Sequence, residues 1–421
     1  MARFAPLAFM IVLTVTSQVI ALGFQPLLKA TYSVEQFGRL ELYTRISYFL
    51  SIALSLRLEY ALYRYNADRG FRFVVLAICA LPVLFATTLL VVCGLVATLN
   101  SSGSTHIAFD DIVIVAFAII SAGAACLSRI VLVAASLKGR FVELGLGKMA
   151  RRSLEGFSQL FSGTSYQNTG LFIGEIVGTL SFSIVAGARY FRRYASDFSR
   201  RNLGQSAREI LARLNSLKKT ASEFPKQKLA GDLVDAAAES LIVFIVLAHF
   251  GLNELGILEL SLKLLVAPTA LIAASLSPLI IRVAGSFPLR SNAFCTRILA
   301  IFIFFVAAAV SYAVFLVAFS DALIGQFFGP AWAPAVQVTL LILPGIMFQF
   351  AIGPFGEILT VAGRIAHDRL WKIIRFFLLS TMFFVPFGSI DFLLMTYSWI
   401  LIGSYSVYLV LIMSAVIGAR K

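Results

Sequence analysis

Two cations stand out in this sequence for the chemistry their setting allows. Arg45 lies in FGRLELYTRISYFLSIALSLRLEY (37–60) and Lys263 in LGILELSLKLLVAPTALIAASLSPLI (255–280), and each follows a glutamate by four residues, Glu41 and Glu259. Both stretches are long and apolar enough to cross a bilayer. A charge near mid-bilayer is costly and faces protein or a water-filled cavity rather than lipid. If the first stretch meets the interface at Phe37, the helical rise puts Arg45 roughly 12 Å deep in a core about 30 Å thick. One reading makes the two cations face a shared cavity and bind an anion. The other is local neutralisation, each cation pairing with the acid one turn earlier.

The two stretches also resemble each other. Gly38, Leu40, Glu41, Leu42 and Arg45 align with Gly256, Leu258, Glu259, Leu260 and Lys263 at a constant offset of 218 residues. Repeats of this kind mark transporters, whose substrate sites lie between the repeats. Within the first stretch, Glu41, Arg45, Tyr48, Ser55 and Glu59 fall on one helical stripe.

Other charged residues are weaker candidates. Arg129 stands about eight residues before the inner end of its apolar segment, deep enough to assist an anion site. Arg57 and Glu59 lie near an inner span end, where snorkelling explains them as well as function does. Glu175 and Glu357 are lone acids in apolar segments. Asp232, Asp235 and Glu239 share a face at the start of another span. Asp235 and Glu239 could couple transport to protons or sodium, or all three acids could simply complement a helix N-terminus. The three histidines lie far apart, and the four cysteines are scattered without a CxxC. No nucleophile elbow, P-loop or metal-ligand spacing occurs, so neither catalysis nor a cofactor is expected.

The elements that position these residues follow from composition. Over 421 residues, 59% are hydrophobic and 13% charged, a balance no water-soluble domain of this size shows. The expected class is an all-α polytopic membrane protein. Twelve apolar segments can be drawn, at about 6–28, 37–60, 73–98, 111–137, 144–164, 169–189, 228–249, 255–281, 296–319, 333–361, 371–387 and 393–418. The fifth is interrupted by Lys148, Arg151 and Arg152, and Pro344, Gly345, Gly353 and Pro354 mark bends in the tenth. Alternate connections hold 29 of the 35 Lys and Arg residues, including Arg369, Lys372 and Arg375. The positive-inside rule then places both termini in the cytoplasm. The net charge of +14 therefore faces anionic membrane lipids rather than nucleic acid. The hydrophilic stretch 190–227 reads either as a basic amphipathic helix carrying Ile210, Leu211, Leu214 and Leu217 on one face or as a solvated linker. It separates six-span lobes at 1–189 and 228–421.

Three regions carry a family resemblance: 37–62; 224–283, which opens with FPKQKLAGDLVDAAAESL; and 327–364, from FFGPAWAPAVQVTLLILPGI through IGPFGEILTVAGR. With them the chain resembles the polysaccharide and O-antigen flippases of the multidrug/oligosaccharidyl-lipid/polysaccharide exporter superfamily. The resemblance implies two six-helix lobes around a central cavity with alternating access. It implies an undecaprenyl-pyrophosphate-linked oligosaccharide as substrate, in the bacterial inner membrane. A polysaccharide polymerase and a chain-length regulator are the further partners it suggests. The pyrophosphate would be held by Arg45 and Lys263, with Arg129 or Arg57 assisting and Glu41 and Glu259 as neighbouring acids. An ion-coupled drug exporter of the same superfamily is the first alternative, and a membrane polysaccharide polymerase the second. Short outer connections disfavour the polymerase.

Overall fold

A computed structural model describes the chain except residues 1–4, 61, 63–70, 102–108, 167, 200–222, 287–290, 362–363 and 419–421. The described residues are helical apart from short connections. In order, the helices are α1 (Ala5–Thr31), α2 (Val34–Ser55), α3 (Phe71–Ser101), α4 (Phe109–Leu137), α5 (Phe141–Gly163), α6 (Gly170–Ser199), α7 (Glu223–Phe250), α8 (Leu252–Ser286), α9 (Asn292–Phe328), α10 (Pro334–Ile352), α11 (Glu357–Val361), α12 (Ile365–Ser380) and α13 (Ile390–Gly418). Eight of the described helical stretches are long and apolar enough to span a membrane. The protein is a multi-pass membrane protein. The core of the expected amphipathic segment, 200–222, lies outside the described residues.

Packing divides the chain into two compact units: Met1–Tyr32 with Leu42–Leu233, and Ser33–Glu41 with Val234–Lys421. The divisions fall inside α2 and α7.

In the first unit, α5 is sandwiched between α1 and α6. This is why a segment carrying Lys148, Arg151 and Arg152 forms one unbroken helix. Its glycines admit the neighbours: a Cβ on Gly145 would strike Leu13, and one on Gly156 would strike the Phe24 ring, both on α1. Along α6, Gly170, Gly174 and Gly178 form a stripe against α5, where a Cβ on Gly178 would meet the Arg151 carbonyl at 2.8 Å. Small residues let membrane helices approach closely, and hydrogen bonds across the seam then satisfy polar groups. Lys148 reaches Thr14 Oγ1 on α1 at 3.2 Å, and within α5 Arg152 pairs with Glu155 at 3.0 Å. Elsewhere α4 is fastened to α6 by Ser128, whose hydroxyl lies 2.8 Å from that of Ser183.

In the second unit, α10 is the central helix, packed against α8, α9 and α13. Ser261 of α8 donates to the Ala335 carbonyl at 3.2 Å, and the Gly345 N–H donates to Ser398 Oγ on α13 at 2.9 Å. By contrast α9 exposes Leu299, Ile303, Val310, Val314 and Val317, an apolar face suited to lipid.

Three expectations need correction. First, α2 ends at Ser55, and Leu56 and Arg57 both take left-handed backbone angles (φ 45° and 54°) before a short 3-10 turn, Leu58–Tyr60. Arg57 and Glu59 therefore leave the α2 stripe on which Glu59 was expected. Second, the tenth segment is not one helix: α10 runs through Pro344 to Ile352, and the expected bend at Gly353 and Pro354 is a 3-10 turn, Gly353–Gly356, that leads into α11. Third, α12 begins at Ile365, so Lys372 and Arg375 lie well inside a helix rather than in a connection.

Candidate anion and ion-pair sites

The repeat inferred from sequence has a structural counterpart within the second unit. A Cβ on Gly38 would collide with the Leu252 carbonyl, and one on Gly256 would collide with the Val34 carbonyl. Leu252 stands 218 residues after Val34, the same offset that relates the two glycines. The first turns of α2 and α8 thus cross reciprocally, backbone against backbone, because neither crossing residue has a side chain. Phe37 packs edge-on against Trp332 (centroids 5.4 Å apart), and the Lys263 ammonium sits 5.6 Å from the Phe37 ring centroid.

Lys263 also forms an ion pair with Glu259 one turn earlier. Glu259 is 1% exposed and Lys263 38%, so the acid is held inside while the ammonium keeps an open side. Local pairing is thus present at the second repeat, alongside an accessible cation.

In the first unit, Arg45 is half-buried on α2, next to Thr44, whose hydroxyl lies 3.5 Å from Glu175 Oε2. Arg129 of α4 reaches α2 as well. Its Nη2 donates to Ser51 Oγ at 2.8 Å, and its guanidinium lies 5.7 Å from the Tyr48 ring centroid. Tyr48 is one helical turn from Arg45, so Arg129 stands beside the Arg45 stretch. Among the described residues no carboxylate pairs with Arg129, and its Nη1 is buried without a hydrogen-bond partner.

Arg57 is 14% exposed, with its Nε 2.8 Å from Asp232 Oδ2 and its Nη1 3.3 Å from Glu59 Oε1. These charges hold the left-handed turn at the end of α2 to the beginning of α7. Arg57 is thus paired within the protein.

Asp235 has a different environment in the second unit. Arg375 of α12, 3% exposed, places Nη2 2.6 Å from Asp235 Oδ1, and Lys372 lies 3.6 Å from Oδ2. Arg375 Nη1 donates to the Tyr405 hydroxyl at 3.0 Å, and the guanidinium lies 4.9 Å from the Trp371 ring centroid. Lys372 also pairs with Asp368 at 3.3 Å, and Tyr408 donates to Asp368 at 2.7 Å. Arg375, Lys372 and Asp368 escaped sequence reasoning. Their spacing of three and four was the available signal, but it reads equally as a basic membrane-flanking helix. No group of His, Cys, Asp or Glu residues among the described residues could hold a metal ion.

No family model matches the sequence, and no curated protein does. Solved structures share the fold. A multidrug resistance MATE family transporter of the MOP superfamily, in its inward-facing conformation, aligns with a TM-score of 0.68 at 11% identity, covering 98% of this chain and 100% of the other. A MOP superfamily transporter from Pyrococcus furiosus, described as having a binding pocket of reverse polarity that suggests a different function, aligns at 0.64 and 11% identity over 100% and 96%. A Vibrio cholerae MATE transporter aligns at 0.57 and 14% identity over 100% and 96%. The chain therefore shares the fold of these transporters.

Proposed function

We propose that this chain is a flippase that moves undecaprenyl-pyrophosphate-linked oligosaccharide across the bacterial inner membrane by alternating access, for surface polysaccharide assembly. The observation that carries the anionic cargo is Arg129. It is a cation deep in an apolar helix with no acid partner among the described residues and one unsatisfied nitrogen. A guanidinium in that state suits a phosphate, which accepts paired hydrogen bonds from its planar fork. In the first unit Arg45 lies one turn along α2 from Tyr48, which Arg129 covers, and Arg57 would join only on release from both Asp232 and Glu59. In the second unit Lys263 supplies the repeat-equivalent cation. The resemblance of 37–62, 224–283 and 327–364 to polysaccharide flippases adds independent support for the sugar-bearing lipid. A polysaccharide polymerase and a chain-length regulator are the partners such a role would involve.

A second reading, export of drugs coupled to an ion, is favoured by the multidrug resistance transporter that shares the fold. The Pyrococcus relative, with its reversed pocket polarity, illustrates that the fold does not fix the cargo. Complementation in a bacterium lacking its own flippase separates the two. Arg45→Ala should stop surface-polysaccharide assembly at normal membrane levels of protein, while Arg45→Lys retains more function. Continued loss in the Arg45→Ala, Glu41→Gln double variant supports anion binding. Its rescue would reduce Arg45 to a local partner of Glu41. Drug sensitivity of the deletion strain with intact polysaccharide would favour the exporter.

A further inference from the structure

Asp235 is an acid in a transmembrane helix, where an exchangeable proton or sodium ion could bind. The structure fills that position with a side chain. Arg375 reaches three oxygens: Asp235 Oδ1 at 2.6 Å, the Asp235 main-chain carbonyl at 3.4 Å and the Tyr405 hydroxyl at 3.0 Å. All three are hard oxygen donors, the type that sodium prefers. The remaining carboxylate oxygen faces Lys372 at 3.6 Å.

The packing fixes this cation in place. Trp371 lies under the guanidinium, stacks on Tyr408 (centroids 3.9 Å apart) and donates from Nε1 to the Ser404 carbonyl at 2.9 Å. Tyr405 packs edge-on against the same indole at 5.0 Å. The charged and titratable groups around the pair are Glu239 on α7, Asp368 and Lys372 on α12, and Tyr397, Tyr405 and Tyr408 on α13. Asp235 is 29% exposed, but a free cation reaching it would find one carboxylate oxygen bonded to Arg375 and the other facing Lys372. A proton would have to displace a guanidinium that is itself buried against Trp371 and Tyr405.

We infer that Arg375 is a tethered counter-ion occupying the cation position at Asp235, so that this acid does not load and release an ion during transport. The ion pair instead joins α7 to α12 and α13 as one body. This inference does not depend on the identity of the cargo. It removes Asp235 from the coupling candidates and leaves Glu239, or the cargo's own gradient, to drive the cycle.

The test uses the purified full-length protein and sodium chloride, with choline chloride holding ionic strength constant. Trp371 is the built-in reporter, its contribution assigned by the signal lost in Trp371→Phe. Wild-type protein should show no saturable sodium-dependent change in Trp371 fluorescence and no sodium-22 binding that Asp235→Asn removes. Arg375→Ala combined with Lys372→Gln should gain a saturable response, abolished when Asp235→Asn is added. Saturable sodium binding by the wild type, or uptake of a proton reported by Trp371, that disappears in Asp235→Asn would overturn the inference. Wild-type protein suffices for that decision even if the charge-removal variant does not fold.

Discussion

Alanine at Gly38 or at Gly256 would test the reciprocal crossing of α2 and α8. In an exposed helix, replacing glycine by alanine stabilises by about 1 kcal/mol through helix propensity alone. Here the added methyl meets backbone. On Gly38 it would lie 3.0 Å from the Leu252 carbonyl carbon and 3.2 Å from the Gly256 nitrogen, and on Gly256 it would lie 2.8 Å from the Val34 carbonyl carbon. Ordinary Cβ contacts begin at 3.4 Å, and the carbonyl oxygens are closer still. Neither backbone can rotate aside as a side chain would, so the helices must separate by about 1 Å, at an overpacking cost of about 1–3 kcal/mol. That cost outweighs the propensity gain at both sites. Once one alanine has parted the helices, the second meets less resistance, so the double variant should lose less than the sum of the single losses. Thermal unfolding in detergent, monitored by circular dichroism, measures all three. Neutral or stabilising single variants, or strictly additive losses, would refute the crossing.

Further expectations concern the charges and the topology. Arg129→Ala should abolish transport while lowering stability by only about 1–2 kcal/mol, because it removes one hydrogen bond and one ring contact but no ion pair. Transport and unfolding measured on the same preparation check this. Asp235→Asn alone should destabilise by about 3–5 kcal/mol, since it strands a buried guanidinium, and adding Arg375→Gln should restore most of the loss in a detergent unfolding assay. A reporter fused after Arg201 should behave as cytoplasmic and one after Ser104 as external; reversal at either position would invert the assignment of sides.

The helices were legible because apolar runs of membrane-spanning length carry their own signal, and the repeat was legible because glycine, glutamate and cation kept register. Its physical meaning was not. That Gly38 and Gly256 meet each other's repeat-equivalent neighbours depends on chain segments far apart in sequence. The break after Ser55 was hidden because Leu56 and Arg57 are residues that rarely adopt left-handed angles, with no glycine to announce the turn. Arg375 was misread for a different reason. Beside Arg369 and Lys372 it looks like one more inner-leaflet charge, and its partner Asp235 lies 140 positions away. The fifth segment looked weak because hydropathy counts its charges and not the glycines that bring α1 and α6 close enough to cover it.

Reconstitution would decide whether a pyrophosphate-linked oligosaccharide is the cargo. Purified protein in liposomes would be given a fluorescent polyprenyl-pyrophosphate-linked oligosaccharide on one leaflet, with a membrane-impermeant quencher reporting its arrival at the other. Wild-type protein should accelerate exchange over empty liposomes, and Arg129→Ala and Arg45→Ala should return it to that background at equal protein content. Background-level exchange by wild-type protein that is active in exporting a cationic drug from the same liposomes would contradict the proposed cargo.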